Sequence, residues 1–407
     1  MKKNLLLLVT FLLLATLWSK GCSEPVDTTS VLTQGDIGIS TQKGSYTYGK
    51  EVRIYIQNNT SAEIIIKNEC PSEYLDVFGK EGEAFTQITA SHEIDCSAYT
   101  DITLAPKEKK SLSYSYWTYS LFSEIGTYQI RYTDPTTGTT YYSNEFAIEE
   151  PSATTKFWRE VFFKPIYNGL IFVIKNVPGH YLALGIILIT LLIRTILLIP
   201  SQHAIRSQKR MQDLQPKLEE IKQKYAGNQE KIAMETMRVW QENKVNPFGS
   251  CLPILIQFPI LIALFYTIKD GLNPDKVIFL YDFQKDFLLS NINTKFLAFD
   301  LTKNDLYVFP ILVGLLQFTQ MKLSLARKKN KKEPAKKENS VTGDIEQANK
   351  MMIYFMPLMI AFFTASVPAG VGLYWGVSTS YGIIQQIIVN REGKDKKEPT
   401  VKVIEKS

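Results

Sequence analysis

Few residues of this sequence are placed to do covalent chemistry. His92, His180 and His203 are its only histidines, and they lie far apart in stretches of different character, so they cannot combine in one metal site. No Gly-rich loop ending in Lys-Ser/Thr, no Gly-x-Ser-x-Gly turn and no His-Glu-x-x-His helix occurs. The expectation is a protein that is not an enzyme and needs no cofactor and no metal. One charge does stand out. Arg194 follows Leu191-Leu192-Ile193 and precedes Thr195-Ile196-Leu197-Leu198-Ile199. An arginine at such depth in an apolar helix costs about 2.5–3.5 kcal/mol on insertion scales and normally faces water or a polar partner. Snorkelling toward headgroups is the alternative. Gln257, Gln317, Gln320, Tyr374, Trp375, Gln385 and Gln386 interrupt other apolar stretches. Each alone reads as packing glue between helices. Together, with no acid in the apolar stretches near Arg194, they outline a wet, cationic groove.

Positioning such groups requires a membrane. The 407 residues are 45% apolar with a net charge of +6, averages that a soluble protein could share. Their distribution is decisive, because windows of about twenty residues are almost purely apolar while charge collects between them. Spans are placed at about 181–199, 251–268, 306–325, 351–367 and 369–389. Basic residues crowd into Arg206 to Lys244, Lys322 to Lys350 and Arg391 to Lys406, and Lys/Arg near span ends marks the cytoplasmic side. Acidic residues are interspersed in all three blocks and no nucleic-acid-binding motif accompanies them, so no specific nucleic-acid sequence is expected as partner.

Residues 1–22 read as a signal peptide or signal anchor, with Lys2 and Lys3 before an apolar run from Leu5 to Trp18. Gly21-Cys22 makes Cys22 a candidate for lipidation, an uncleaved anchor being the other reading. From 31 to 150, short alternating stretches such as Val52-Arg53-Ile54-Tyr55-Ile56 indicate an exported all-β sandwich domain. Cys70 and Cys96 lie in it, as a candidate disulfide if the compartment oxidises and as reduced core residues otherwise. Aromatic and basic residues mix over 155–178, as in an interfacial amphipathic helix. Residues 181–391 hold the spans. Between the first two lies a hairpin, 203–243, in which Met211, Leu214, Leu218, Ile221 and Tyr225 form one apolar stripe and Ile232, Thr236, Val239 and Trp240 a second. Ala226-Gly227-Asn228 separates the arms, and Pro216 starts or kinks the first. A charged linker, Lys328 to Ser340, and a basic cytoplasmic tail, 392–407, complete the chain.

Leu191-Leu192-Ile193-Arg194, the hairpin, Val245-Asn246-Pro247-Phe248-Gly249-Ser250-Cys251-Leu252-Pro253, Gln257-Phe258-Pro259-Ile260 and Leu373-Tyr374-Trp375-Gly376 with Gln385-Gln386 follow in an order that resembles the YidC membrane insertase family. The likeness covers about 157–391. It implies a multispan α-helical membrane protein with a five-helix insertase core and a hydrophilic groove open to the cytoplasm and to lipid. Arg194, Gln257, Gln317 and Trp375 would line the groove, and Tyr225 and Trp240 would belong to a substrate-receiving hairpin. The implied partners are nascent membrane proteins, membrane lipid, the Sec translocon and the ribosome, in a bacterial plasma membrane with the β domain outside. Other classes stay open: a channel or secondary transporter, or a β-domain binding module tethered by the membrane part.

Overall fold

A computed structural model describes residues 35–68, 70, 72–90, 96, 100–243, 245, 252–324 and 342–395. Cys22, the 246–251 motif, the Lys328 to Ser340 linker and the end of the basic tail lie outside the described residues. The chain forms two compact units, one of Met1–Lys156 with Asn273–Ile278, the other of Phe157–Leu272 with Phe279–Ser407.

The first unit is built from strands. β1 (Ile37–Thr41), β3 (Arg53–Asn58) and β8 (Lys109–Ser113) make one antiparallel sheet in the order β1-β3-β8. A larger sheet runs β2-β11-β9-β5-β6, from β2 (Ser45–Thr47), β11 (Phe146–Glu149), β9 (Gly126–Thr133), β5 (Asp76–Glu81) and β6 (Ala84–Ile88), with β10 (Thr140–Tyr142) also paired to β9. β4 (Ile64–Ile66) and β7 (Ile102–Leu104) pair separately. Alternation fixes the register: Ile54 and Ile56 are buried on β3 while Arg53, Tyr55 and Gln57 are less so, since neighbouring side chains on a strand point to opposite faces. Ile39, Ile54, Val77, Ile130 and Phe146, from both larger sheets, share one core with Leu121 and Phe122. The Tyr114 hydroxyl is buried in that core, donating to the Leu75 carbonyl (2.9 Å) and accepting from the Leu75 N–H (3.2 Å). A disulfide joins Cys70 to Cys96, Cα atoms 5.7 Å apart. Asn273–Ile278 belongs here because the Asp275 carboxylate accepts the N–H groups of Tyr119 and Ser120, each at 2.8 Å.

The second unit is helical. α1 (Ala153–Trp158) leads from the strands through a π-helical turn at Arg159–Phe163 into α2 (Lys164–Asn176). α2 buries Tyr167, Leu170, Ile171 and Ile174 and packs on α3 (Leu182–Ile196) and α7 (Leu252–Lys269). A Cβ at Gly185 would lie 2.4 Å from Ile174 Cγ1, so the close α2–α3 approach requires glycine there. α4 (Leu198–Asp213) runs on from α3 to α5 (Gln215–Lys224) and α6 (Gln229–Glu242). Pro216 sits in the first turn of α5, where its missing N–H is tolerated. Gly227 takes a positive φ, and the Asn228 side chain then caps α6 by accepting the Lys231 N–H at 3.0 Å. α5 and α6 pack as a hairpin, with Lys217 Nζ 4.0 Å from Glu242. α8 (Val308–Ser324), α9 (Thr342–Ala365) and α10 (Ala369–Asp395) pack together, and α10 also lies on α3, α4 and α7.

The stretch read as a single span over 181–199 is broken. α3 and α4 meet at 66° across Leu197. Pro200 explains the break: it has no N–H to give the Ile196 carbonyl, and its ring collides with that carbonyl in a continuous helix. Among the described residues no single helix is long and apolar enough to cross a membrane, although this bent pair is when taken together. Gln257–Lys269, Val308–Ser324 and Ile353–Ala365 are shorter apolar segments.

Candidate functional site

The bend places Arg194 in the last turn of α3, facing α10. On α10 the polar residues Tyr374, Ser378, Tyr381 and Gln385 recur at steps of four, three and four, which puts them on one face of a helix. Three contacts join this stripe to the α3–α4 strand of chain. Arg194 Nε donates to Ser378 Oγ at 2.7 Å, the Thr195 and Tyr381 hydroxyls are 3.4 Å apart, and Ser201 Oγ donates to Gln385 Oε1 at 3.2 Å. Gln257 on α7 reaches the same Ser378 oxygen from a third helix, with Nε2 at a long 3.5 Å. Ser378, Thr379, Gln385 and Gln386 are all buried. Arg194 is half-buried and forms no ion pair among the described residues. Tyr374 Oη is buried beside Ser378 and Arg194, and Gln385 Nε2 is buried with no hydrogen bond to a described residue, which is costly unless water or a polar ligand reaches it.

Arg194 and Gln257 therefore meet through Ser378. Trp375 lies on α10 but packs edge-on against Phe363 of α9, ring centroids 6.0 Å apart. Gln317, on α8, is half-buried. On the hairpin, Tyr225 ends α5 with the ammonium groups of Lys224 and Lys231 5.5 and 6.0 Å from its ring centre. Trp240 is half-buried on α6, next to the buried Val239. Met234 and Met237 stand exposed on the same helix. Ser378 was absent from the sequence reading, although the four-three-four spacing of Tyr374, Ser378, Tyr381 and Gln385 was available to find it.

One end of the helical unit is stitched shut by the chain between α7 and α8. The Leu182 N–H donates to the Asn293 carbonyl at 2.9 Å, and the Ala369 and Gly370 N–H groups donate to Lys303 and Leu301, each at 2.8 Å. Asn168 of α2 donates to the Phe279 carbonyl and accepts the Tyr281 N–H, at 2.8 and 2.7 Å. The loop thus satisfies donors at the starts of α3 and α10, which helix geometry leaves without partners. The Arg194–Ser378 contact lies toward the other end, where α3 gives way to α4.

Residues 173–397, more than half of the chain and including all of this seam, match the family described as the 60Kd inner membrane protein. The chain belongs to that family. Similar members include the "Membrane protein insertase YidC" of Oceanobacillus iheyensis, 33% identical over 268 residues that cover 64% of this chain and 94% of the relative. The protein of the same name from Fusobacterium nucleatum is 35% identical over 210 residues, covering 52% of this chain and 86% of the relative. "Membrane protein insertase MisCA" of Bacillus subtilis is 33% identical over 263 residues, covering 62% and 87%. As a member of the family, the chain is an integral protein of the cell membrane. The resemblance read from the motifs and the family match agree.

Proposed function

We propose that this chain is a membrane protein insertase that receives hydrophobic segments in a hydrophilic groove and releases them sideways into lipid. The observation that carries this reading is the seam around Arg194: a cation without an acidic partner among the described residues, held between α3, α7 and α10 beside buried hydroxyl and amide groups. The outer surface of the same unit carries Ile196, Ile311, Leu358 and Phe362. The relatives named as insertases support it.

In this reading α3 with α4, α7, α8, α9 and α10 form the five-helix core. The strand-built unit is an exported sandwich domain, and the hairpin α5–α6 and the basic tail are cytoplasmic, following the placement of Lys and Arg. The stitched end faces outward and the groove opens inward. Moving a polar tail through about 30 Å of hydrocarbon is the main barrier to insertion. A hydrated groove shortens that path, Arg194 attracts acidic residues of the tail, and transfer of the apolar segment into lipid supplies the driving force. The hairpin would contact nascent substrates first, with the Sec translocon and the ribosome as further partners.

The test is reconstitution of the purified protein in liposomes with single-span substrates that differ only in tail acidity. Wild type should insert both, and Arg194→Ala should reduce insertion of the acidic tail by about fivefold, the effect of a screened contact worth roughly 1 kcal/mol. Ion flux without insertion would overturn the reading in favour of a channel.

A further inference from the structure

Resting on the insertase reading, we propose that Ser378 is a positioning residue, which pins one edge of the Arg194 guanidinium and so presents its two terminal nitrogens to the carboxylates of an incoming segment. A guanidinium has five N–H donors, one on Nε and four on the Nη pair. The Nε–H is taken by Ser378 Oγ at 2.7 Å, and Arg194 makes no other hydrogen bond to a described residue. A hydroxyl accepts that bond without cancelling the charge, as a carboxylate in its place would. The edge left over is the Nη fork, whose planar geometry matches a carboxylate in two parallel hydrogen bonds.

The pin is itself fixed. Ser378 is almost fully buried on α10, and Gln257 of α7 approaches its oxygen at 3.5 Å. Along the same seam the Thr195–Tyr381 and Ser201–Gln385 contacts, at 3.4 and 3.2 Å, hold the two chain segments in register on either side of the Pro200 break. A free arginine would lose rotamer freedom when a carboxylate binds, whereas one already held by its Nε edge has lost much of it beforehand. Arg194 would thus act as an oriented fork and not merely as a source of positive potential.

The experiment measures the ratio of acidic-tail to neutral-tail insertion in proteoliposomes for wild type, Ser378→Ala, Ser378→Thr, Arg194→Lys and the Ser378→Ala/Arg194→Lys double variant. Ser378→Ala should lower the ratio by roughly threefold, within the range of a screened charge contact, and Ser378→Thr, which keeps the hydroxyl, should restore it. Lysine has no Nε–H edge to pin, so in the Arg194→Lys background Ser378→Ala should leave the ratio where it was. Loss of both tails in equal proportion with Ser378→Ala, failure of Thr to restore the ratio, or the same threefold drop in the Lys background would each overturn the positioning role while the insertase reading stands. Failure of wild type to insert either substrate would overturn both.

Discussion

In the strand-built unit Ile54, Val77 and Ile130 are completely withdrawn from the surface, whereas in the helical unit Ile311, Leu358 and Phe362 are 61%, 69% and 78% exposed. Polar residues are divided less sharply, since the strand-built unit also buries a few, Asn58 and Thr41 among them. Thr86, Gln87 and Thr133 are exposed on the strands, while Ser378, Thr379, Gln385 and Gln386 are inside the helical unit. The first unit obeys the rule for a protein in water, where removal of apolar area drives folding. The second follows the rule for a protein in hydrocarbon, where an exposed leucine costs nothing and polar groups must find partners among the helices. The same side chain therefore has a different energetic meaning in the two units.

The largest effect that tests this contrast is a pair of aromatic truncations. Phe122→Ala in the strand core should cost about 3–5 kcal/mol, since it deletes a fully buried ring and leaves a cavity. Phe362→Ala, on the exposed helical surface, should change stability by no more than about 0.5 kcal/mol in a bilayer. Pulse proteolysis of the full chain in urea, following each unit's fragments, would read both. Similar losses at the two positions would mean that Phe362 packs against protein and not lipid.

A charge placed on each surface gives a somewhat smaller effect with the opposite pattern. Phe362→Arg should cost about 2.5–3.5 kcal/mol of membrane insertion if the site lies near mid-bilayer. Ile65→Arg, at an exposed strand position, should be neutral to within about 0.5 kcal/mol. The fraction of each variant recovered in carbonate-washed membranes is the measurement. An Arg at 362 that integrates normally would break the comparison.

The smallest effect concerns Glu73, where the strand unit departs from its own rule. Burial raises the pKa of this carboxyl, and Oε1 has no hydrogen-bond partner among the described residues. A carboxyl with a raised folded-state pKa holds its proton more tightly in the folded chain, so its contribution to stability is present at low pH and is lost as pH rises through that pKa. Glu73→Gln should therefore stabilise this unit slightly at pH 7 and flatten its stability between neutral and mildly acid pH. Urea midpoints at a series of pH values would show it, and an unchanged slope would remove Glu73 from the account.

Local patterns made much of this legible. Period-two alternation marked β3 and β9, the stripe from Met211 to Tyr225 marked the hairpin arm, Gly227-Asn228 marked its turn, and Arg194 stood out by being the wrong residue type for its surroundings. These signals reside in neighbouring residues, whose spacing is set by strand and helix geometry before any tertiary contact forms. The 66° bend was within reach as well, because Pro200 lies four residues after Ile196; the apolar run hid it by continuing across the break. Partnership was a different matter. Arg194 and Ser378 are 184 positions apart, and one serine in an apolar helix has no local feature that distinguishes a packing residue from the group holding an arginine. Trp375 was grouped with Arg194 as an amphipathic residue and by its place in the family motif; its ring packs on Phe363, one position from the buried Tyr374, because a helix turns by about 100° per residue and moves neighbours onto different faces. The order of residue types sets where charge and apolar surface lie along each element. Which charge meets which hydroxyl depended on the rotation of α3 and α10 against each other, a choice made by close packing at positions such as Gly370 of α10, where a Cβ would fall 3.1 Å from Ile186 of α3.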